Sequence, residues 1–380
     1  MSEPGETNWD DEEALDLPLD PAVNRKLFRK WREPRFGQSN PERMNNPVWE
    51  WLVRSRRTPY DLAQRFGEPS ALEAGPGWCF NRFGRSGTVL SDGRKVLIGG
   101  EHEDCYDPDF QIYNDVVVLY PDGRMDILGY PRKVFPPTDF HSATLAGDQI
   151  FIIGGLSYPE ERQAATTRVY CLNLKSFSIS PFATTGRAPG WIHHQTAELE
   201  PDGKSITLRG GRVDSVRNIN DWRLRLDTGQ WEQLTKNVWQ VWKVRRKDGH
   251  LLHLWQIRSH LALQSMGQLN LLTDQMRKIE EQFDIPTLEE QVGGSIDAEA
   301  EAQLFQPPVD HEKGPDTGKF DVRYLLINGV MVRYEEGLQE IEVTFEGALP
   351  QKVINSVVKD LAAKLTRLEG SPCAAKRMQL

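Results

Sequence analysis

Through the middle of the chain, short apolar runs alternate with polar turns, and three of the runs end on paired glycines. They are Val96–Gly100, Ile150–Gly155 and Ser205–Gly211. Their first glycines, Gly99, Gly154 and Gly210, are separated by 55 and 56 residues. A fixed period of this length marks a repeat architecture. Each run is preceded by a hairpin turn cluster, Ser91–Lys95, Ala146–Gln149 and Pro201–Lys204, whose glycines supply the positive φ that tight turns need. Each is followed by a variable loop and a third strand. That strand begins after Asn114-Asp115 in repeat one and after Asn220-Asp221 in repeat three, with Thr166-Thr167 in the same place in repeat two. Ten positions on stands a large apolar residue, Met125, Phe177 or Trp231. Each unit is therefore three strands and the start of a fourth, and it must stack on its neighbours to bury both faces.

The flanks read differently. Residues 1–46 form an acidic and then basic tail, largely disordered, with a short helix over Val23–Trp31. Residues 47–77 form a helical lead. Asn46-Pro47 starts one helix, and Thr58-Pro59 starts another that stops at Gly67. The repeat domain spans 78–257 and closes on a tryptophan-rich hairpin, Val238–Val244 and Leu251–Ile257, read as half of a fourth, degenerate repeat. A helix over Ser259–Phe283 and a loose linker fill 258–319. Residues 320–372 form a small β-β-β-α module: two strands about Asn328-Gly329, a third at Glu340–Phe345, and a helix with Val353, Ile354, Val357, Val358, Leu361, Leu365 and Leu368 on one face.

The repeat resembles the kelch repeat, whose second strand ends in Gly-Gly and whose third leads through a turn to a Trp or another large apolar residue. Repeat three carries the fullest copy, with Arg209-Gly210-Gly211, Asn220-Asp221, Asp227-Thr228-Gly229 and Trp231. Repeats one and two depart from it at Met125 and Phe177, and the resemblance covers about residues 84–236. It implies a mainly β fold: a kelch-type β-propeller or partial propeller, with N-terminal helices and the C-terminal β-β-β-α module. Three blades are too few for a familiar closed ring. Degenerate flanking blades, an open capped array or a partner would each resolve this.

Charge and composition narrow the function. Forty-six basic and 55 acidic residues leave a net charge of −9, which argues against a generally basic nucleic-acid-binding surface. No run of 18 apolar residues exists and the N-terminus has no signal-like pattern, so a soluble, cytoplasmic protein without a membrane partner is expected. Cys79, Cys105, Cys171 and Cys373 show no disulfide or zinc spacing, and Cys171 reads as a buried small hydrophobe. The loops after Gly-Gly and the connections between repeats share one rim, where binding residues concentrate. Candidates there are Glu101, His102, Glu103, Asp104 and Asp107 of the first loop, Tyr158 of the second, and Arg212 and Arg217 of the third. Phe135, Phe140 and Trp191 of the connections join them. His141 and Ser86 occupy matching scaffold positions, and His193-His194 lie near the equivalent place.

Aromatic, arginine and carboxylate groups mixed on one face suit recognition of a protein with a basic surface. The expected function is a protein-binding adaptor or inhibitor, toxin neutralisation being one concrete form by analogy. No catalytic residue, metal or cofactor is assigned. The alternative is a kelch-type enzyme, such as a sugar isomerase or a metal-dependent lyase or oxidase. Kelch proteins resembling the nitrile-specifier type hold iron with Glu-x-x-x-Asp-x-x-x-His; Glu103 and Asp107 fit that spacing, but Gln111 stands in the place of the His.

Overall fold

The computed structural model describes residues 14–102, 110–213, 216–255, 303–316 and 321–378. It is mainly β, with several antiparallel sheets, and divides into two compact units, Met1–Lys236 and Asn237–Leu380.

The first unit opens with helices. Helix α1 (Arg25–Trp31) starts at Asn24, whose side chain accepts the Leu27 N–H. Strand β1 (Glu42–Arg43) precedes α2 (Pro47–Ser55), capped by Asn46, and α3 (Pro59–Phe66), closed by a Thr58–Asp61 capping box and ended by left-handed Gly67. A single turn, α4 (Ala71–Ala74), follows. The aromatic residues of this lead make a core in which Trp49 stacks on Trp78, ring centroids 4.6 Å apart.

Residues 21–46, expected as a largely disordered tail, are anchored instead. The Asn40 side chain exchanges two hydrogen bonds with the Ile179 backbone (2.7 and 2.8 Å), and β1 adds a fifth strand to the first repeat's sheet. These anchors are an Asn side chain on backbone, a two-residue strand pairing and the scattered apolar residues Val23, Phe28 and Met44, which leave no hydrophobic period to read.

Each repeat is a four-stranded antiparallel meander. The first contains β2 (Ser86–Val89) and β3 (Lys95–Ile98). A rim hairpin, β4 (Glu101–His102) and β5 (Gln111–Ile112), leads to β6 (Val116–Leu119) and β7 (Met125–Gly129). The second is β8 (Ser142–Ala146), β9 (Gln149–Ile153), β10 (Val169–Asn173) and β11 (Ile179–Pro181). Rim strand β12 (Ile192–His193) precedes the third, β13 (Thr196–Leu199) and β14 (Ser205–Arg209). After rim strands β15 (Arg212–Val213) and β16 (Val216–Arg217), it continues with β17 (Trp222–Arg225) and β18 (Trp231–Gln233).

Alternation along the strands sorts the side chains into successive layers. Leu97, Val117, Met125 and Ile127 pack back onto the helical lead. Val96, Ile98, Val116 and Val118 pack forward onto Ile150, Ile152, Leu172 and Ile179 of the second sheet. Phe151, Ile153, Val169 and Cys171, on that sheet's other face, meet Ile206, Leu208, Trp222, Leu224 and Trp231 of the third. The third sheet's forward face breaks the pattern. Where the first two carry Val96–Val118 and Phe151–Cys171 as cross-strand pairs, it carries Thr207–Arg223, flanked by Glu198 and Glu232. Arg223 pairs with Glu200 (2.8 Å) and Glu232 (3.4 Å).

Strand pairing also corrects the alignment of the repeats. Gly99, Gly154 and Gly210 fix the register, and the residue opposite Leu119, Leu172 and Leu224 is Met125, Ile179 and Trp231. Ile179, not Phe177, therefore fills the large apolar place in repeat two; it follows Leu172 by seven positions, as Trp231 follows Leu224, and Phe177 sits in the turn between with positive φ.

In the second unit, β19 (Gln240–Arg246), β20 (Glu312–Lys313), β21 (Val322–Ile327), β22 (Val330–Glu336), β23 (Glu340–Phe345) and β24 (Cys373–Arg377) form one antiparallel sheet in the order β20-β21-β22-β23-β19-β24. Helix α5 (Gln351–Glu369) packs on it through Ile354, Val357, Val358, Leu361 and Leu365. Strands β21, β22 and β23 with α5 form a β-β-β-α unit, extended by β20 on one side and by β19 and β24 on the other. The expected fourth-repeat hairpin is not formed: β19 pairs with β23 and β24 instead, burying Val241 and Val244, and residues 253–255 are helical. The helix expected over 259–283 lies outside the described residues. No described helix is long and apolar enough to cross a membrane.

Candidate functional site

The rim is built from one five-residue connector per repeat: Arg82–Ser86, Thr138–Ser142 and Ile192–Thr196. The same backbone bonds recur in each. The N–H of the second glycine of a repeat donates to the first residue of the following connector, Gly100 to Thr138 O and Gly155 to Ile192 O, both at 2.9 Å. The third residue of every connector is left-handed: Gly84 (φ 61°), Phe140 (49°) and His194 (56°). These residues are chained, Phe140 N–H to Gly84 O (2.7 Å) and His194 N–H to Phe140 O (2.8 Å). Their rings form a ladder. A Cβ on Gly84 would strike the Phe140 ring, and the His194 ring stacks on Phe140 with centroids 4.0 Å apart.

The fourth residue of a connector reaches back to the preceding repeat. His141 Nε2 lies 2.8 Å from Ser86 Oγ, and Gln195 Nε2 donates to Ile153 O (2.7 Å) and to Ser142 Oγ (3.2 Å). His141 is buried, and burial pushes its pKa down to about 3. It is a neutral clamp between repeats, in keeping with its scaffold reading. Asp139 is fully buried. Burial raises its pKa against the opposing pull of the Ser157 N–H (2.6 Å) and of the neighbouring Glu101 carboxyl.

The candidate residues divide accordingly. Phe135 and Trp191 are corrected to scaffold groups. Phe135 is fully buried against Tyr130 and Tyr170, and buried Trp191 lies under the Arg168 guanidinium at 4.4 Å and donates to Leu156 O. Tyr158 is half-buried; its hydroxyl accepts the Ile112 N–H (2.9 Å) and its ring meets Phe110. Glu101 and His102 stand in the rim hairpin, with the His102 ring stacked on Tyr60. Arg212 and Arg217 pair across β15 and β16, Arg212 being exposed. Glu103, Asp104 and Asp107, two of which match part of the nitrile-specifier spacing, lie outside the described residues. Among the described residues, no group of three His, Cys, Asp or Glu side chains is placed to hold a metal ion.

Two exposed rim groups escaped the sequence reading of a binding face: Phe83, 56% exposed, and the His194 ring. Partial desolvation of the ring on its stacked side, with His193 and Arg212 nearby, lowers the His194 pKa to about 4. Phe has no propensity for left-handed φ and His only an enrichment over a low base, so this line of residues leaves no clear sequence signature. Only the recurrence of the connector at the repeat period points to it.

No protein-family model matches this chain, and no curated protein matches it in sequence. Among solved structures, one described as "Structure of YjhT" aligns over 41% of this chain and 52% of its own, at 13% identity and a TM-score of 0.33. This chain thus spans about half the length of that protein, and the likeness is too slight to carry an argument.

Proposed function

We propose that this chain is a kelch-type protein whose three meanders are blades of an open, partial propeller, and that it acts as a binding protein through the Gly-Gly rim. The observation that carries the reading is the division of labour there. Titratable groups that chemistry would need are engaged in holding repeats together: His141 on Ser86, and Asp139 on the Ser157 N–H. The groups left outward, Phe83, His194 and Arg212, with half-buried Phe140 between the first two, run along three successive connectors and loops. A spread line of aromatic and arginine groups supports recognition of a protein surface. The net charge of −9 favours a partner of opposite overall sign, and toxin neutralisation remains one form such binding would take.

The test is affinity capture from the native host with wild-type protein and a Tyr158→Ala/Arg212→Glu variant. A stoichiometric protein partner, held by the wild type and lost by the folded variant, supports the reading. A wild type that captures no protein but turns over a small molecule overturns it in favour of the enzyme alternative.

A further inference from the structure

We infer that repeat three ends in an unfilled connector groove, and that this groove binds an extended segment of a partner protein with an acidic residue, then an aromatic or histidine, then His or Gln. The inference rests on the binding reading above and names the segment recognised.

Two filled copies of the groove show what it takes. In repeats one and two the first glycine is pressed by the next connector: a Cβ on Gly99 would come within 2.3 Å of Thr138 O, and one on Gly154 within 2.2 Å of Ile192 O. Gly210 occupies the same place in repeat three, is exposed, and has nothing within 4 Å of its Cβ position. Gly100 and Gly155 each donate their N–H to a connector carbonyl; among the described residues Gly211 makes no such bond. Gly84 and Phe140 each accept an N–H from the following left-handed residue; among the described residues the His194 carbonyl accepts none. Thr196, where Ser86 and Ser142 receive His141 and Gln195, is exposed and donates to Arg209 O (3.2 Å).

The backbone donor, the backbone acceptor, the hydroxyl and the ring platform of the groove are therefore all present at the end of the array. Each would meet one atom of an incoming strand, as their counterparts do in the filled copies. Main-chain bonds supply the affinity of such strand addition, and alternate side chains supply the selectivity.

The side chains follow from position. The third residue of the segment would lie on the His194 ring as His194 lies on Phe140, which selects a flat aromatic or imidazole side chain. The fourth would reach Thr196 as His141 reaches Ser86, which selects His or Gln. The second corresponds to Asp139, whose neighbour is Glu101; in repeat three Arg212 stands where Glu101 does. Replacing a carboxylate neighbour by an exposed guanidinium makes an acidic residue the complementary choice. The chain's own connector, Thr138-Asp139-Phe140-His141, has this order.

The probe is a labelled peptide with the sequence of residues 135–143, titrated with the full chain by fluorescence anisotropy. It should bind, and a scrambled peptide should not. Changing the Phe140 equivalent to Ala in the peptide, or His194→Gly in the protein, should weaken binding by about tenfold. Gly84 shows that glycine is at home in the His194 position, so this variant should keep its unfolding transition. Arg212→Glu should reverse the preference between Asp and Lys at the second peptide position. No binding at millimolar peptide would overturn the inference, because the groove is then absent or already filled by the chain itself. Equal binding of the scrambled peptide, or indifference to both protein variants, would overturn it as well. A host partner that is captured but not displaced by the peptide would leave the rim reading standing and remove the groove. Peptide binding without any captured partner would do the reverse.

Discussion

At the scale of single residues, the paired glycines are both the clearest mark in the sequence and the clearest divider of the three repeats. Gly154 and Gly210 have similar positive φ, 74° and 62°, so an alanine in either place bears the same left-handed strain, roughly 1 kcal/mol. Their surroundings differ: the added methyl meets Ile192 O in one case and open space in the other. Gly154→Ala should therefore destabilise the first unit by at least about 2 kcal/mol more than Gly210→Ala, read from paired denaturant unfolding curves.

His141 makes a second prediction at this scale. Its folded pKa of about 3 lies below its ordinary 6.5, so the unfolded chain takes up the proton first as pH falls. The stability this neutral histidine supports is complete above about pH 6.5 and is lost as the pH drops toward 3, with a slope approaching about 1.4 kcal/mol per pH unit. His141→Gln, which copies Gln195 of the next connector, should flatten the acid limb of the stability profile. An unchanged limb would show that another group sets it.

At the scale of elements, what was legible followed periodicity and caps. The helices at Asn46-Pro47 and Thr58-Pro59, the hairpin at Asn328-Gly329 and the amphipathic α5 all declare themselves through local chemistry. The strand β19 was equally legible as a strand, but not its allegiance. Alternating Val241 and Val244 suit any sheet, and its partners Glu340–Phe345 and Cys373–Arg377 lie about a hundred residues or more further along the chain. Strand β24, with Ala374 and Ala375 at its centre, gave no strand signal at all.

The second unit is further tied by Glu369. Its fully buried carboxylate accepts the His253 and Leu254 N–H groups (2.9 and 3.0 Å) and faces Arg246 at 3.3 Å. Glu369→Ala leaves two amides without their acceptor and removes one of the two carboxylates that Arg246 pairs with, Asp248 remaining. It should lower the stability of that unit by roughly 3 kcal/mol, visible as earlier hydrogen exchange in β19 and α5. A change confined to the first unit would contradict this assignment.

At the scale of the whole repeat array, the question is why, among the described residues, three meanders do not continue to a fourth. The period could not answer it, because the glycines, turns and third strand of repeat three are as regular as those before. The answer lies in which residues occupy the alternate positions. In the first two sheets the forward face is apolar and is covered by the next repeat. In the third, Thr207, Arg209 and Arg223 take those places, and cross-strand partners Glu198 and Glu232 complete a charged row. A row of this kind is the polar outer face that a terminal repeat needs to stay soluble. The helical lead does the same work at the other end with Trp49, Trp78 and their neighbours. Replacing Thr207, Arg209 and Arg223 by Val, Ile and Val copies the forward face of the first sheet onto the third. The variant should keep its β signal in circular dichroism, because the strands pair as before. Its exposed apolar sheet, however, should drive more concentration-dependent association in sedimentation velocity than the wild type undergoes. A variant that stays unassociated at the highest concentrations would mean that something other than charge ends the array, and the groove at Gly210 would then lose its claim to be open.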